Sequence, residues 1–283
     1  MKILYTLTTL LLFSFAGAQD KQPYQLYNAK GKKTTYKKLL ETAEEADVVL
    51  FGEHHDDALI HWLELELTKD LSEKKKLVMG AEMIEADNQD ELDSYLNGAI
   101  NQKAFDTLAR LWNNHKTDYK PLVDFAKSKN IKFIATNVPR RYASMVYKKG
   151  FGVLDSLPAA EKEWIAPLPI AYDATLPGYI KMLEMMGGHG GDNLPKAQAV
   201  KDATMAHFIA KNLEKGSVFI HYNGTYHSDN YEGINWYLKR EKPQVKIITI
   251  AAVTQADIMN LEKEHLNKAD FILVVDEDMT KTY

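Results

Sequence analysis

Cysteine is absent from the 283 residues. That excludes structural disulfides, a cysteine nucleophile, thiolate-bound zinc, iron–sulfur centres and thiolate-ligated haem. An excess of positive charge is missing too. The formal net charge is −4 and no basic stripe runs through the chain, so nucleic acid and anionic membrane are excluded as main partners: their phosphates would find too few cations. The densest basic run, Lys74 to Lys76, reads as a solvated helix end. No G-x-S-x-G occurs, which removes a serine hydrolase of the nucleophile-elbow type. Long apolar runs are scarce. The one at Ile3 to Phe15 is too short for a comfortable membrane span. Lys2 precedes it and Ala16-Gly17-Ala18 follows, the pattern of a secretory signal peptide over residues 1–18. The sequence thus predicts an exported protein, periplasmic or extracellular, with no transmembrane segment.

Residues 19–283 are expected to form a single α/β domain, large enough to hold a core without a metal or disulfide. Residues 19–35 are polar and aperiodic and read as an extended lead-in. Beyond them, short apolar runs predict strands at Val48–Gly52, Leu77–Ala81, Lys132–Thr136, Ser217–Tyr222, Lys246–Ala251 and Phe271–Val275. Such continuous runs mark strands buried on both faces. Helical patterns lie between them: from a cap at Asp56 or Asp57 through Leu71, at Pro121–Ser128, at Ala197–Leu213 and at Tyr231–Lys239. Alternating strands and helices predict a mainly parallel central sheet flanked by helices. The stretch 151–194 breaks the rhythm with four prolines, an apolar helix near Ile180–Met186 and a glycine cluster at 187–191, and reads as an inserted helical cap.

Ligands of parallel sheets bind at the carboxyl ends of the strands. Three predicted strands turn polar there: one into Glu53-His54-His55-Asp56-Asp57, one into Glu82, and one into His221 through His227. Glutamates and imidazoles gathered in one place can hold a divalent metal, run general acid–base chemistry or bind a polar ligand. The bland alternative is a set of helix caps and solvent-facing histidines. Glu82 resists it, because a carboxylate closing an apolar strand needs a partner.

Gly52-Glu53-His54-His55-Asp56 with His61, then Glu82-Met83, Asn137-Val138-Pro139-Arg140, Lys201-Asp202-Ala203-Thr204-Met205-Ala206 and Gly224-Thr225-Tyr226-His227 follow in the order of the ChaN-like haem-binding, iron-regulated lipoproteins, which this chain resembles. The framework is also similar to the wider superfamily with the Tiki metalloproteases and erythromycin esterases. The resemblance implies haem binding in haem or iron acquisition, with a tyrosine ligating iron at the interface of a homodimer. Its hydrolytic relatives imply instead a metal-dependent hydrolase, with Glu53, His55, Glu82 and His227 as metal ligands or catalytic bases, and Asp202 and Arg140 lining the site. The sequence departs from the lipoprotein pattern in lacking the N-terminal cysteine. A haem slot would need apolar walls, an axial ligand and cations for the propionates. Tyr179, Met182 and His189 of the insert, with Arg140 and its neighbour Arg141, are the cofactor-binding candidates. The methionines can equally be core, since Met182, Met185 and Met186 fall at helical spacing.

Overall fold

The computed structural model describes residues 21–185 and 191–283. The expected signal peptide, His189, Met186 and most of the glycine cluster lie outside the described residues. The elements in chain order are β1 (Tyr24–Asn28), β2 (Lys33–Thr34), α1 (Tyr36–Ala43), β3 (Val48–Glu53), α2 (Ala58–Ser72), β4 (Lys76–Glu85), α3 (Gln89–Leu96), α4 (Gln102–Leu108), α5 (Lys120–Lys129), β5 (Lys132–Asn137), α6 (Arg140–Lys149), α7 (Ala159–Lys162), α8 (Pro177–Met185), α9 (Leu194–Lys211), β6 (Ser217–Gly224), α10 (Ile234–Glu241), β7 (Ile247–Gln255) and β8 (Phe271–Asp276). The strands form one sheet in the order β2-β1-β8-β7-β3-β6-β4-β5, parallel throughout except for β1 and β2. The mainly parallel α/β sheet expected from the sequence is therefore present. The lead-in was misread: residues 24–34 form a hairpin that pairs antiparallel with β8, so polar residues sit on an edge where one side faces solvent.

The pleat sorts the core. Along β3, Val49 and Phe51 pack with Ile60, Leu67 and Leu71 of α2, whereas Val48 and Leu50 pack with Val200, Met205 and Ile209 of α9. On β4, Met79 and Ala81 join the α2 side and Val78 the α9 side. Successive side chains of a strand point to opposite faces. Glu53, in step with Phe51, must therefore project toward α2, and Glu82, in step with Val78, toward α9.

The sequence expectation placed Glu82 just past a strand end. It lies inside β4, because Met83 and Ile84 are also buried and carry the strand on to Glu85. Asp57 is the residue that caps α2, accepting from the N–H groups of Leu59 and Ile60 at 3.0 and 3.2 Å. In the 151–185 stretch, Leu154, Leu157, Ile165 and Ile170 are buried against α6 and α9, so much of the insert flanks the sheet, and α8 alone reaches toward its carboxyl edge.

Candidate functional site

β3, β6 and β4 are neighbours in the sheet, and the register sets Glu53 beside Gly224 and Ala81 beside Tyr222. This adjacency brings three polar strand ends together at the mouth of one cavity of about 720 Å³. Glu53, His55, Glu82, His227, Arg140 and Met182 all line it, so these sequence candidates converge. Tyr179 does not. It is buried among Tyr172 and the α9 side of the core, stacked on Tyr172 with ring centroids 5.4 Å apart. His221 also stays in the sheet, hydrogen-bonded to Thr136 and Asn223, and burial pushes its pKa down to about 4, leaving it neutral.

The site consists of two imidazole–carboxylate units. In the first, His227 Nε2 lies 3.0 Å from Glu82 and its Nδ1 lies 2.5 Å from Asp202 of α9. All three side chains are nearly inaccessible. Burial opposes a charge on His227, but Glu82 and Asp202 outweigh it and carry the pKa up to about 9. Burial likewise works against an ionised Glu82, yet His227, then His55 and Lys201, hold it far below the ordinary carboxylate range. Glu82 also accepts the Gly224 N–H at 2.8 Å. Burial pushes the Asp202 carboxyl up. With the His227 pKa near 9, the unit is an imidazolium held between two carboxyl groups at pH 7.

In the second unit His55 Nδ1 lies 2.5 Å from Glu53, which also accepts from the Tyr119 hydroxyl at 3.1 Å. Burial lowers the His55 pKa, but the Glu53 contact prevails and raises it. Trp112 packs edge-on to the His55 ring at 4.8 Å. The two units meet at Gly224. A Cβ there would stand 2.8 Å from His55 Nε2, so only glycine lets the second loop approach the first so closely. Gly52 has the same role, its missing Cβ being 2.9 Å from the Ile250 carbonyl.

Sequence reasoning missed several contributors. Trp112, Asp118 and Tyr119 come from the irregular stretch after α4, which includes a five-residue π-helical turn at His115–Tyr119. Glu64 was hidden in an amphipathic helix. The buried face of α2 carries His61, Glu64 and Thr68 as well as Ile60, Leu63 and Leu67, and this polar stripe at helical spacing was the available signal. The cavity wall also has an apolar part, Val138, Met182, Met185 and Leu194, with the exposed Tyr226 at the rim beside Met185. The four residues expected to ligate metal pair histidine to carboxylate. Among the described residues, the buried set whose donor atoms all lie within 4.8 Å of one another is a different one, Glu53, His61 and Glu64.

A doubly flanked parallel sheet, with glycine-x-x-histidine loops ending two adjacent strands and buried glutamates facing them, defines a class of proteins with a ligand or reaction site at the sheet edge. Residues 39–238 match the family described as haem-binding uptake, Tiki superfamily, ChaN, and the chain belongs to it. The resemblance read from the motifs is borne out. ChaN of Campylobacter jejuni, whose structure is described as showing cofacial haem binding, has the same fold at a TM-score of 0.64 and 18% identity, with 89% of this chain and 97% of that one covered. The type III effector HopBA1 matches at a TM-score of 0.50 and 12% identity, covering 85% and 92%. No curated protein matches the sequence. At such identities the likeness to the solved structures shows the fold alone. No helix among the described residues is long and apolar enough to cross a membrane.

Proposed function

We propose that this chain is an exported haem-binding protein of haem or iron acquisition, and that haem occupies the cavity at the carboxyl ends of β3, β4 and β6. The observation that carries this reading is the cavity's chemistry. Its volume of about 720 Å³ falls in the range of cofactor sites. Trp112, Val138, Met182, Met185 and Leu194 offer an apolar wall for a flat macrocycle. Arg140 and Lys201 on the same lining offer cations for its two carboxylate arms. Arg110 and Arg141 beyond Arg140 are paired with Asp87.

Family resemblance implies a tyrosine on the iron, and Tyr226 is the tyrosine that lines the cavity. The residue is 61% exposed and its hydroxyl donates to the Met185 sulfur at 3.7 Å, a weak acceptor that a ligand can displace. Tyr226 would hold bound haem through its phenol oxygen, and the haem would supply a Lewis-acidic iron. His55 and His227 would face the ligand as hydrogen-bonding groups. Met185 is also exposed, at 62%, which leaves an apolar rim that a second copy in a homodimer would cover. The signal-peptide pattern at residues 1–18 supports export. Titrating the purified protein with haemin tests the reading: a Soret band that saturates near one haem per chain is expected, whereas no band, or one that grows without saturating, overturns it.

A hydrolase is the second reading, favoured by the pairing of imidazole and carboxylate on both sides of Gly224. His55, held by Glu53, would act as base, and the Glu82–His227 pair would supply the acid. Turnover in an esterase and peptidase panel that disappears in His55→Ala would support it, and no turnover by the intact protein would remove it.

A further inference from the structure

Glu53 has two oxygens with different surroundings. Oε1 meets His55 and Tyr119 at the cavity, whereas Oε2 points the other way, into the space between β3 and α2. There His61 Nε2 lies 3.4 Å from Glu53 Oε2, and His61 Nδ1 lies 3.2 Å from Glu64 Oε2. Asp118 Oδ2 stands 3.9 Å from the same imidazole. Both glutamate side chains are wholly inaccessible and His61 is 5% exposed. Despite this burial, Glu53 Oε2 and Glu64 Oε1 have no hydrogen-bond partner. No Lys or Arg among the described residues pairs with Glu53, Glu64 or Asp118. The His61 imidazole thus faces three buried carboxylates, and a buried carboxylate oxygen left without a partner is unfavourable.

We propose that Glu53, His61 and Glu64 form a second, buried site for a first-row divalent cation such as Zn²⁺ or Mn²⁺, behind the cavity rather than in it. One donor atom from each residue lies within 4.8 Å of the others. Ligands about 2.0–2.2 Å from a shared ion lie roughly 3.3–3.6 Å apart in a tetrahedron, so the three side chains would draw in by about 1 Å to close the set. One imidazole with two carboxylates suits a borderline cation and disfavours Ca²⁺, which prefers oxygen donors only. Glu53 Oε2 and Glu64 Oε1, which have no hydrogen-bond partner, are free to serve as ligand atoms. Asp118 is a supporting neighbour whose Oδ2 is already engaged by Asn114 and Thr282. Bound there, the ion would fix Glu53 and through its other oxygen the ring of His55, making this a positioning site for the cavity. The proposal does not rest on haem binding.

Full-length protein, stripped with a chelator and titrated with Zn²⁺ and Mn²⁺ by calorimetry, should bind one equivalent of at least one of them and melt at a higher temperature when loaded. Glu64→Gln keeps the side-chain volume but should weaken binding by about 100-fold or more. His227→Gln, at the cavity, and Glu264→Ala, in the exposed Glu262–Glu264–His265 group, should bind the metal as the parent does. Should Glu64→Gln fail to fold, X-ray absorption on the Zn²⁺-loaded parent decides the matter. A single imidazole in the first shell, retained in Glu264→Ala, supports the buried site. Two imidazoles would place the ion at His55 and His227 and overturn it, as would no binding by the parent, unchanged binding by Glu64→Gln, or loss of binding in His227→Gln or Glu264→Ala. A failed haemin titration would leave this result untouched.

Discussion

His227 Nε2 sits 3.0 Å from a carboxylate oxygen of Glu82, and the pair is buried where the second glycine-x-x-histidine loop, which follows β6, meets β4. Two interactions with opposite pH dependence meet in it. The imidazole gains its charge from Glu82 and Asp202, and Glu82 stays ionised because of the imidazolium.

The His227 pKa rises from 6.5 to about 9 on folding. A raised pKa means the folded state binds the proton more tightly, so the stabilisation is complete below about pH 6.5 and is lost as pH climbs through about 9. His227→Gln removes that contribution. Denaturant titrations should show an advantage of the parent over the variant that shrinks by roughly 3 kcal/mol between pH 6 and pH 9.5. A gap that stays constant over this range would mean that His227 is neutral in the folded protein.

Gly224→Ala would drive a methyl group against the His55 ring, which Glu53 and Trp112 hold in place. A stability loss of about 1–3 kcal/mol is expected from this overpacking, together with weakened ligand binding as His55 is displaced. Gly152→Ala is the control, since its added methyl meets nothing within 4 Å. Thermal melts of the two variants should separate clearly, and equal melting temperatures would show that the close approach of the loops is not enforced.

Tyr226→Phe removes one hydroxyl from a side chain that is 61% exposed, so the melting temperature should hold within experimental scatter. The haem complex should change instead. Loss of an axial donor is expected to weaken haemin by about tenfold or more and to alter the visible spectrum of the ferric complex. An unchanged spectrum and affinity would assign the axial ligand to another residue.

The six buried parallel strands were legible because two-sided burial demands continuous apolar runs, as in Val48-Val49-Leu50-Phe51. The convergence of Glu53, His55, Glu82 and His227 followed from strand ends sharing one edge. The direction in which each carboxylate points was not legible, since it depends on the pleat and on the length of β4, which runs to Glu85. The N-terminal hairpin was missed because an edge strand needs no apolar run. Glu64 was missed because a glutamate among leucines on α2 reads as solvent-facing until the fold lays β3 over it. Trp112, Asp118 and Tyr119 reach the site from a segment without periodicity, so only tertiary structure could place them.

Met182 of α8 projects into the cavity and belongs to no hydrogen-bonded or ionic group of the site, which makes it the cleanest probe of occupancy. Haemin titrations of the parent and of Met182→Arg, followed at the Soret band with melting temperatures recorded in parallel, test the central claim directly. The parent should saturate near one haem per chain, and the equally stable variant should lose most of that affinity. Equal saturation by both proteins would contradict haem binding in this cavity.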